Sequence, residues 1–342
     1  MLRTPPSQDR EDVQVIGLDP EPVEAARLHA AGDLRIVREA PSRPGPGEVR
    51  VHVAAVGLCG SDLHWFEEGS IGEATVGHPL VLGHEFSGRL DDGRLVAADP
   101  AIPCGSCPAC LAGREHLCER SRFAGHSVTD GGLRSVLWWP EHLLREVPPT
   151  LSAEEGALLE PLGVALHAVD LAANRPGESA AVLGCGPIGL LIVQVLRDAG
   201  VAPIVVAEPL RHRLAAALEM GGTEAGSPGT PDEVDVVFDA AGTDEAVTTA
   251  IDLARPGGRV VLVGIPPGDR TSYRASVARR KELTMQHARR MRAEDLDRAI
   301  ELAAAGRVDL ARLVSHRFQL EEVRKAFGTL EARAGIKVIV TP

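Results

Sequence analysis

The chain has 342 residues, a hydrophobic fraction of 44%, 3% aromatic residues and a formal net charge of −12. That length suits roughly two domains of ordinary size, and no apolar run is long enough to span a bilayer. The negative charge argues against nucleic acid or an anionic membrane as partner, and so few aromatics offer no base-stacking platform. A protein with small-molecule business remains.

The opening segment MLRTPPSQDREDVQV lacks an apolar stretch of the signal-peptide kind. The expected location is therefore the cytoplasm, where thiols stay reduced. Residues 1–24 are polar and proline-bearing and read as an N-terminal extension. From Asp33 onward LRIV is predicted as a strand, APSRPGPG as a break, and EVRVHVAAV as a strand with period-two alternation. Turn signals recur to about residue 150 and predict a β-rich unit. Ser152-Ala153-Glu154-Glu155 is a capping box that opens a helix. Pro161 is expected to end or kink that helix after Glu160, and a second helix is expected from Pro161 to about Ala173.

Apolar strands then alternate with helices. AAVLG (180–184), PIVVAE (203–208), DVVFDAAG (235–242) and GGRVVLVG (257–264) read as strands; IGLLIVQVLRDAG, RHRLAAALEMGG and a segment ending at Leu253 read as helices. Continuous apolar strands separated by helices predict an α/β fold, a doubly wound parallel sheet covered on both faces. A helix after Ala293, the segment HRFQLEEVRKAF and the strand KVIV complete the chain.

Gly184-Cys185-Gly186-Pro187-Ile188-Gly189 is a G-x-G-x-x-G between a predicted strand and a predicted helix, the context the dinucleotide fingerprint requires. Its glycines permit a tight turn and let backbone amides approach a pyrophosphate at the positive end of a helix. Glu208 ends the next strand about 20 residues on, where an acid accepts bonds from the adenosine ribose hydroxyls. A carboxylate there disfavours a 2′-phosphate, which predicts NAD over NADP. Arg211 and Arg213 follow closely and pull the other way, and Arg213 joins the cofactor-binding candidates. The alternative is a glycine turn in a doubly wound fold that binds no nucleotide.

Four of the six cysteines, Cys104, Cys107, Cys110 and Cys118, fall within AIPCGSCPACLAGREHLCER (101–120). Their spacing suits tetrahedral zinc held by four thiolates, a closed and hence structural site, and Gly105, Pro108 and Gly113 supply the turns. An iron–sulfur cluster uses similar spacing, and a loop of unrelated thiols is the third reading. A second set is open. Cys59 follows a predicted strand in VGLCGSD, and His84 with Glu85 follows an apolar run in LGHE. Cysteine, histidine and a carboxylate make a three-ligand set that leaves a position for water or substrate, with Glu160 as an extra carboxylate. Taken singly, these residues also read as a small core residue, a satisfied histidine and a helix-end acid.

Taken together, CGSDLH (59–64), VLGHEFSG (81–88), the four-cysteine lobe, GALLEPLGVALHAV (156–169), GCGPIG and RPGGRVVLVG resemble the zinc-dependent medium-chain dehydrogenases over residues 25 to 342. SDLHWFEEGSIGE (61–73), the EPL at Glu160 and HRFQLEEVRKAF (316–327) are most similar to the polyol branch, the sorbitol and L-iditol dehydrogenases and their L-idonate relatives. The resemblance implies a Rossmann NAD-binding domain at 153–293. It implies a GroES-like catalytic domain at 25–152 and 294–342, bearing the zinc lobe 101–120.

It also implies two zinc ions per chain, one catalytic and one structural, and a homotetramer or homodimer. The catalytic zinc would take Cys59, His84 and Glu85, with Glu160 holding the zinc-bound water or replacing Glu85. Ser61 would contact the substrate oxygen and start a proton relay through His64, Trp65 would lie beside the substrate, and Arg290 would contact polyol hydroxyls. The implied reaction is oxidation of a secondary alcohol of a polyol such as sorbitol, xylitol or iditol to a ketose, with NAD as acceptor. A sugar acid, whose carboxylate Arg290 would pair with, an aminocyclitol and threonine stay open as substrates. A non-catalytic NAD(H)- and zinc-binding sensor is the reading from a different class. Two departures from the family stand out. Met291 occupies a position where tyrosine is usual, and SGRLDDGRLVAADP (87–100) is shorter than the family's connection, predicting a tight surface hairpin at Asp91-Asp92-Gly93.

Overall fold

Buried apolar strands joined by helices form the predicted parallel sheet. The structure, a computed structural model, describes residues 22–342 except 72, 73, 77, 176, 228, 230, 267 and 269. Most of the expected extension, residues 1–21, lies outside the described residues. The parallel sheet has six strands in the spatial order Thr223–Glu224, Ile204–Ala207, Ala180–Leu183, Val234–Asp239, Ala254–Leu262 and Thr284–His287. Counted along the chain, these are the third, second, first, fourth, fifth and sixth strands, the doubly wound order of dinucleotide-binding folds. Its first strand shows why every residue is apolar. Ala180 and Val182 enter one core with Leu190 and Leu191, while Ala181 and Leu183 enter another with Val247 and Ile251.

The second sheet is antiparallel for most of its width. Its order is Leu144–Glu146, Leu95–Ala98, Glu85–Arg89, Glu48–Gly57, Lys337–Thr341 and Val314–Gln319, with Val136–Pro140 also pairing with Glu48–Gly57. The last two strands of the chain therefore join a sheet begun near its start. The shortened connection is the tight hairpin its turn residues predict. Gly93 has φ +88°, and its N–H donates to the Leu90 carbonyl at 2.9 Å.

Three local features differ from the sequence reading. Val23–Ala30 is a strand paired with Asp33–Glu39. Its buried positions, Val23, Ala25, Ala26 and Leu28, do not alternate strictly, so period-two counting passed over it. Gly60–Glu68 is a helix ended by Gly69 at φ +66°, and it buries only Asp62 and Trp65. With no apolar stripe, it gave helical periodicity nothing to register. The helix break expected at Pro161 lies earlier: one helix spans Ala153–Ala157 and the next Leu159–Ala172. Proline is tolerated in a first turn, where its missing N–H has no intrahelical acceptor. Glu160 is consequently in the first turn of the second helix, not at the end of the first.

Candidate active site

The helix Gly60–Glu68 places the open ligand set. Cys59 is its N-cap, and the Cys59 N–H donates to Asp62 Oδ2 at 2.9 Å. Asp62 Oδ1 accepts from the Gly83 N–H at 3.2 Å and lies 3.5 Å from His84 Nδ1. One carboxylate thus fixes the cysteine turn, the following loop and the imidazole. The ligand atoms of Cys59, His84 and Glu85 lie within 4.8 Å of one another, a soft thiolate, an imidazole and a carboxylate converging as an open zinc site requires. Burial opposes charge on Asp62 and on His84. Even so, His84 and the N–H bonds of Cys59 and Gly83 hold Asp62 below its usual range, while Asp62 and Cys59 hold His84 well above its own. A cation bound there would displace the imidazole proton, as metal binding to histidine generally does.

Asp62 is a positioning residue that the sequence reading missed; its place at the third helical position after Cys59 was the available signal. Partners that orient a ligand histidine typically carry a 10- to 100-fold effect on metal affinity or activity. Asp62→Asn is therefore expected to weaken zinc retention by about that factor. Graded chelator titration, followed by metal analysis, checks it.

Glu85 has a partner in the last strand. Lys337 Nζ lies 2.8 Å from Glu85 Oε1 and 2.6 Å from Oε2, and donates to the Leu58 carbonyl at 3.1 Å. Both side chains are almost wholly buried, 2% and 1% exposed. Burial works against the ammonium, but Glu85 and Cys59 hold the lysine above its ordinary value. Nothing in the sequence reading assigned Lys337 a part, although a lysine heading the apolar run KVIV was a visible anomaly.

A cavity of roughly 620 Å³ opens on this set. Cys59, His84, Glu85 and Glu160 line one end, and Ser61, His64 and Trp65 of the short helix form a side. Glu160 is outside the close triad but faces the same space, and its carboxyl is pushed up to about 7 by burial, with His84 opposing and Glu85 adding. His64 Nδ1 lies 3.0 Å from Glu68 Oε1, which leaves Nε2 free. Ile188, Val263 and Ile265 close the cavity from the parallel-sheet side. Arg290 reaches it as expected, with Phe123, His126 and Arg289, three residues the sequence reading had not singled out. Met291 does not line it. This side chain is buried against the helix Leu159–Ala172, where a Cβ on Gly163 would meet its sulfur at 2.5 Å.

The glycine loop leads from the strand Ala180–Leu183 into the helix Pro187–Asp198. Gly184 has φ +86°, and a Cβ on Gly189 would fall 1.9 Å from the Gly184 carbonyl oxygen, so both positions demand glycine. Gly186 is the helix N-cap and Pro187 follows in the first turn. Glu208 accepts from the Cys185 N–H at 2.8 Å and the Leu210 N–H at 2.9 Å, which aims its carboxylate at the loop. The Cys185 thiol is fully buried and pushed up to about 12 by that burial, so small size explains it. Arg213 donates twice to the Gly335 carbonyl, at 3.1 and 2.9 Å, and Arg211 is exposed at the start of its helix.

The four lobe cysteines also converge, all within 4.8 Å. Their sulfurs are separated by 3.5 Å (Cys107–Cys110), 3.8 Å (Cys107–Cys118) and 4.0 Å (Cys104–Cys110). A zinc tetrahedron with Zn–S of about 2.3 Å has edges of about 3.8 Å, so the lobe fits that ion. N–H bonds, the largest from Ser106, pull the Cys104 thiol down to about 5 against burial, towards the thiolate a metal needs. Cys104→Ser is expected to lower zinc content from two to one per chain and to cost stability before turnover. An intact melting profile with unchanged zinc would contradict this.

Residues 187–305 match the family model for zinc-binding dehydrogenases, and residues 45–149 match that for the alcohol dehydrogenase GroES-like domain. "Probable D-xylulose reductase A" of Aspergillus clavatus is 35% identical over 329 residues, covering 89% of this chain and 92% of that protein. Among solved structures, L-idonate 5-dehydrogenase of Escherichia coli superposes with a TM-score of 0.87 at 25% identity, covering 94% of this chain and 98% of that one. 2R,3R-butanediol dehydrogenase of Bacillus subtilis does so with a TM-score of 0.82 at 29% identity, covering 94% and 99%. With likeness running through both sheets at such coverage, the chain belongs to the zinc-dependent medium-chain dehydrogenases, in their polyol dehydrogenase branch.

Proposed function

We propose that this protein oxidises a secondary alcohol of a polyol to a ketose, with NAD as hydride acceptor. The observation that carries the reading is one cavity lined by the Cys59–His84–Glu85 set and by Ile188 of the glycine-loop helix. Cys59, His84 and Glu85 would hold the catalytic zinc, and Cys104, Cys107, Cys110 and Cys118 the structural one. Gly184, Gly186, Gly189 and Glu208 would bind the dinucleotide. When bound, the metal supplies a Lewis acid that acidifies a hydroxyl, and the dinucleotide supplies the hydride acceptor.

The protein's own part is to bind, orient and carry the proton. Ser61 Oγ takes the substrate proton, and His64 passes it outward through Nε2, its Nδ1 being engaged by Glu68. Glu160, buried and with its carboxyl raised towards neutrality, contributes a group that holds or yields a proton beside the ligand set. Trp65 and Phe123 keep water from the reacting carbon. The presence of open-site ligands together with relay groups favours an enzyme over a sensor.

We assign residues 25–152 and 294–342 to the catalytic unit, supported by the pairing of Lys337–Thr341 with Glu48–Gly57. Residues 153–293 form the nucleotide unit. Among the described residues no helix is long and apolar enough to cross a membrane, and a cytoplasmic homodimer or homotetramer belongs to the same reading. NADH appearance with sorbitol, xylitol and iditol, with and without chelator, tests it. The expected result is chelator-sensitive reduction of NAD, and turnover undiminished after complete metal removal would sink it.

A further inference from the structure

The cavity is electrically lopsided. Glu85 and Glu160 stand with the ligand set; Arg290 and Arg289 line the same cavity beside His126, whose imidazole is held below its ordinary value by burial and by Arg290 and is there a neutral hydrogen-bonding group. Arg290 is held by a built arrangement. Its backbone adopts φ +58°, its guanidinium lies 4.4 Å from the Phe123 ring centroid, and Nη1 donates to Ser121 Oγ at 2.7 Å. Among the described residues neither Arg290 nor Arg289 forms an ion pair. Burial and the adjacent Arg289 depress the Arg290 guanidinium to about 10, yet at neutral pH it is charged and lacks a counter-ion in contact. His126 is set by a tight turn. Its N–H donates to the Thr129 carbonyl at 3.3 Å, Ser127 beside it has φ +53°, and the imidazole packs edge-on to Trp65. Left-handed backbone at Arg290 itself, a non-glycine residue lining the cavity, is the kind of strain that concentrates at binding sites.

A half-buried guanidinium next to a second one is costly unless an anion compensates both. Hydroxyl groups alone leave that repulsion standing. We propose that Arg290, Arg289 and His126 form a subsite for an anionic end group, so that the substrate is a polyol chain with a terminal carboxylate or phosphate. Phe123 separates Arg290 from His84, whose ring lies 5.3 Å from the Phe123 ring. The anion thus sits one aromatic ring away from the metal set, a few carbons from the reacting carbinol. Charge-assisted, fork-shaped contacts of arginine to carboxylate or phosphate give the strength and the orientation.

The inference rests on the dehydrogenase reading above, and the experiment separates the two. Initial rates at saturating NAD are compared for neutral alditols, aldonates and alditol phosphates of matched chain length. One anionic set is expected to exceed the matched neutral alditol in kcat/KM by about 10- to 100-fold; which set leads tells carboxylate from phosphate. Arg290→Gln and, on the exposed rim, Arg289→Gln should erode that preference mainly through KM, and Arg290→Lys should restore part of it. Neutral alditols oxidised at least as well as both anionic sets would overturn the subsite and leave the polyol reading standing. Turnover of none of the three sets would overturn both. A loss in Arg290→Gln confined to NAD affinity would assign the guanidinium to the cofactor and likewise overturn the subsite.

Discussion

Cys59→Ala is expected to remove turnover by about a thousandfold or more while the chain stays folded. Lewis-acid stabilisation of a developing oxyanion is worth several kcal/mol, and each ~1.4 kcal/mol is a factor of ten in rate. Cys59 supplies the only thiolate of the open set. Its side chain belongs to none of the three apolar cores, and the cap that starts the helix uses its backbone N–H and Asp62. Metal content should fall from two zincs per chain to one, the reverse assignment from Cys104→Ser. Circular dichroism and metal analysis beside the rate measurement distinguish loss of chemistry from loss of fold. Wild-type rates in a chain lacking that zinc would exclude the open set from the reaction.

In the metal-free protein, where no cation shares Glu85, Lys337→Met is expected to cost about 3–5 kcal/mol of stability, the range for removing one partner of a buried ion pair. The substitution strands Glu85, 1% exposed, without the ammonium that contacts both its oxygens. The double variant Glu85→Gln/Lys337→Met should recover part of the loss, because no uncompensated charge is then left buried. Denaturant midpoints of the wild type, both single variants and the double variant, all stripped of metal, form the cycle. Equal midpoints for Lys337→Met and wild type would show that the pair carries no such energy.

What was legible in the sequence shares one property: it is written in neighbouring residues. The parallel sheet appeared as apolar runs between helices, the glycine loop as a spaced motif, the zinc lobe as four cysteines within fifteen positions, and the short hairpin as Asp-Asp-Gly. The open ligand set was legible through CGSD and GHE. What stayed hidden depends on distant pairs. Lys337 meets Glu85 only because the final strand pairs beside Glu48–Gly57, and His126 faces Arg290 only after two separate loops converge on the cavity. The helix Gly60–Glu68 was missed because it is chosen by its ends, Cys59 with Asp62 and then Gly69, and not by a stripe. The misplaced break at Pro161 has a simple source: a proline marks a boundary from either side, and here it stands just inside a start.

Residues 335 to 337 are gripped from two directions. The Gly335 carbonyl receives two N–H donors from Arg213, on the helix beside the dinucleotide loop, and two residues later Lys337 clasps the carboxylate next to His84. This is one of several contacts that cross between the two units, beside Arg290 with Ser121, Gln194 with Asp309 and Arg317 with Glu154. Sliding the sheets apart there would break a doubly donated carbonyl contact or a buried ion pair. Rotation about that point leaves both contacts in place, whereas shear through it does not.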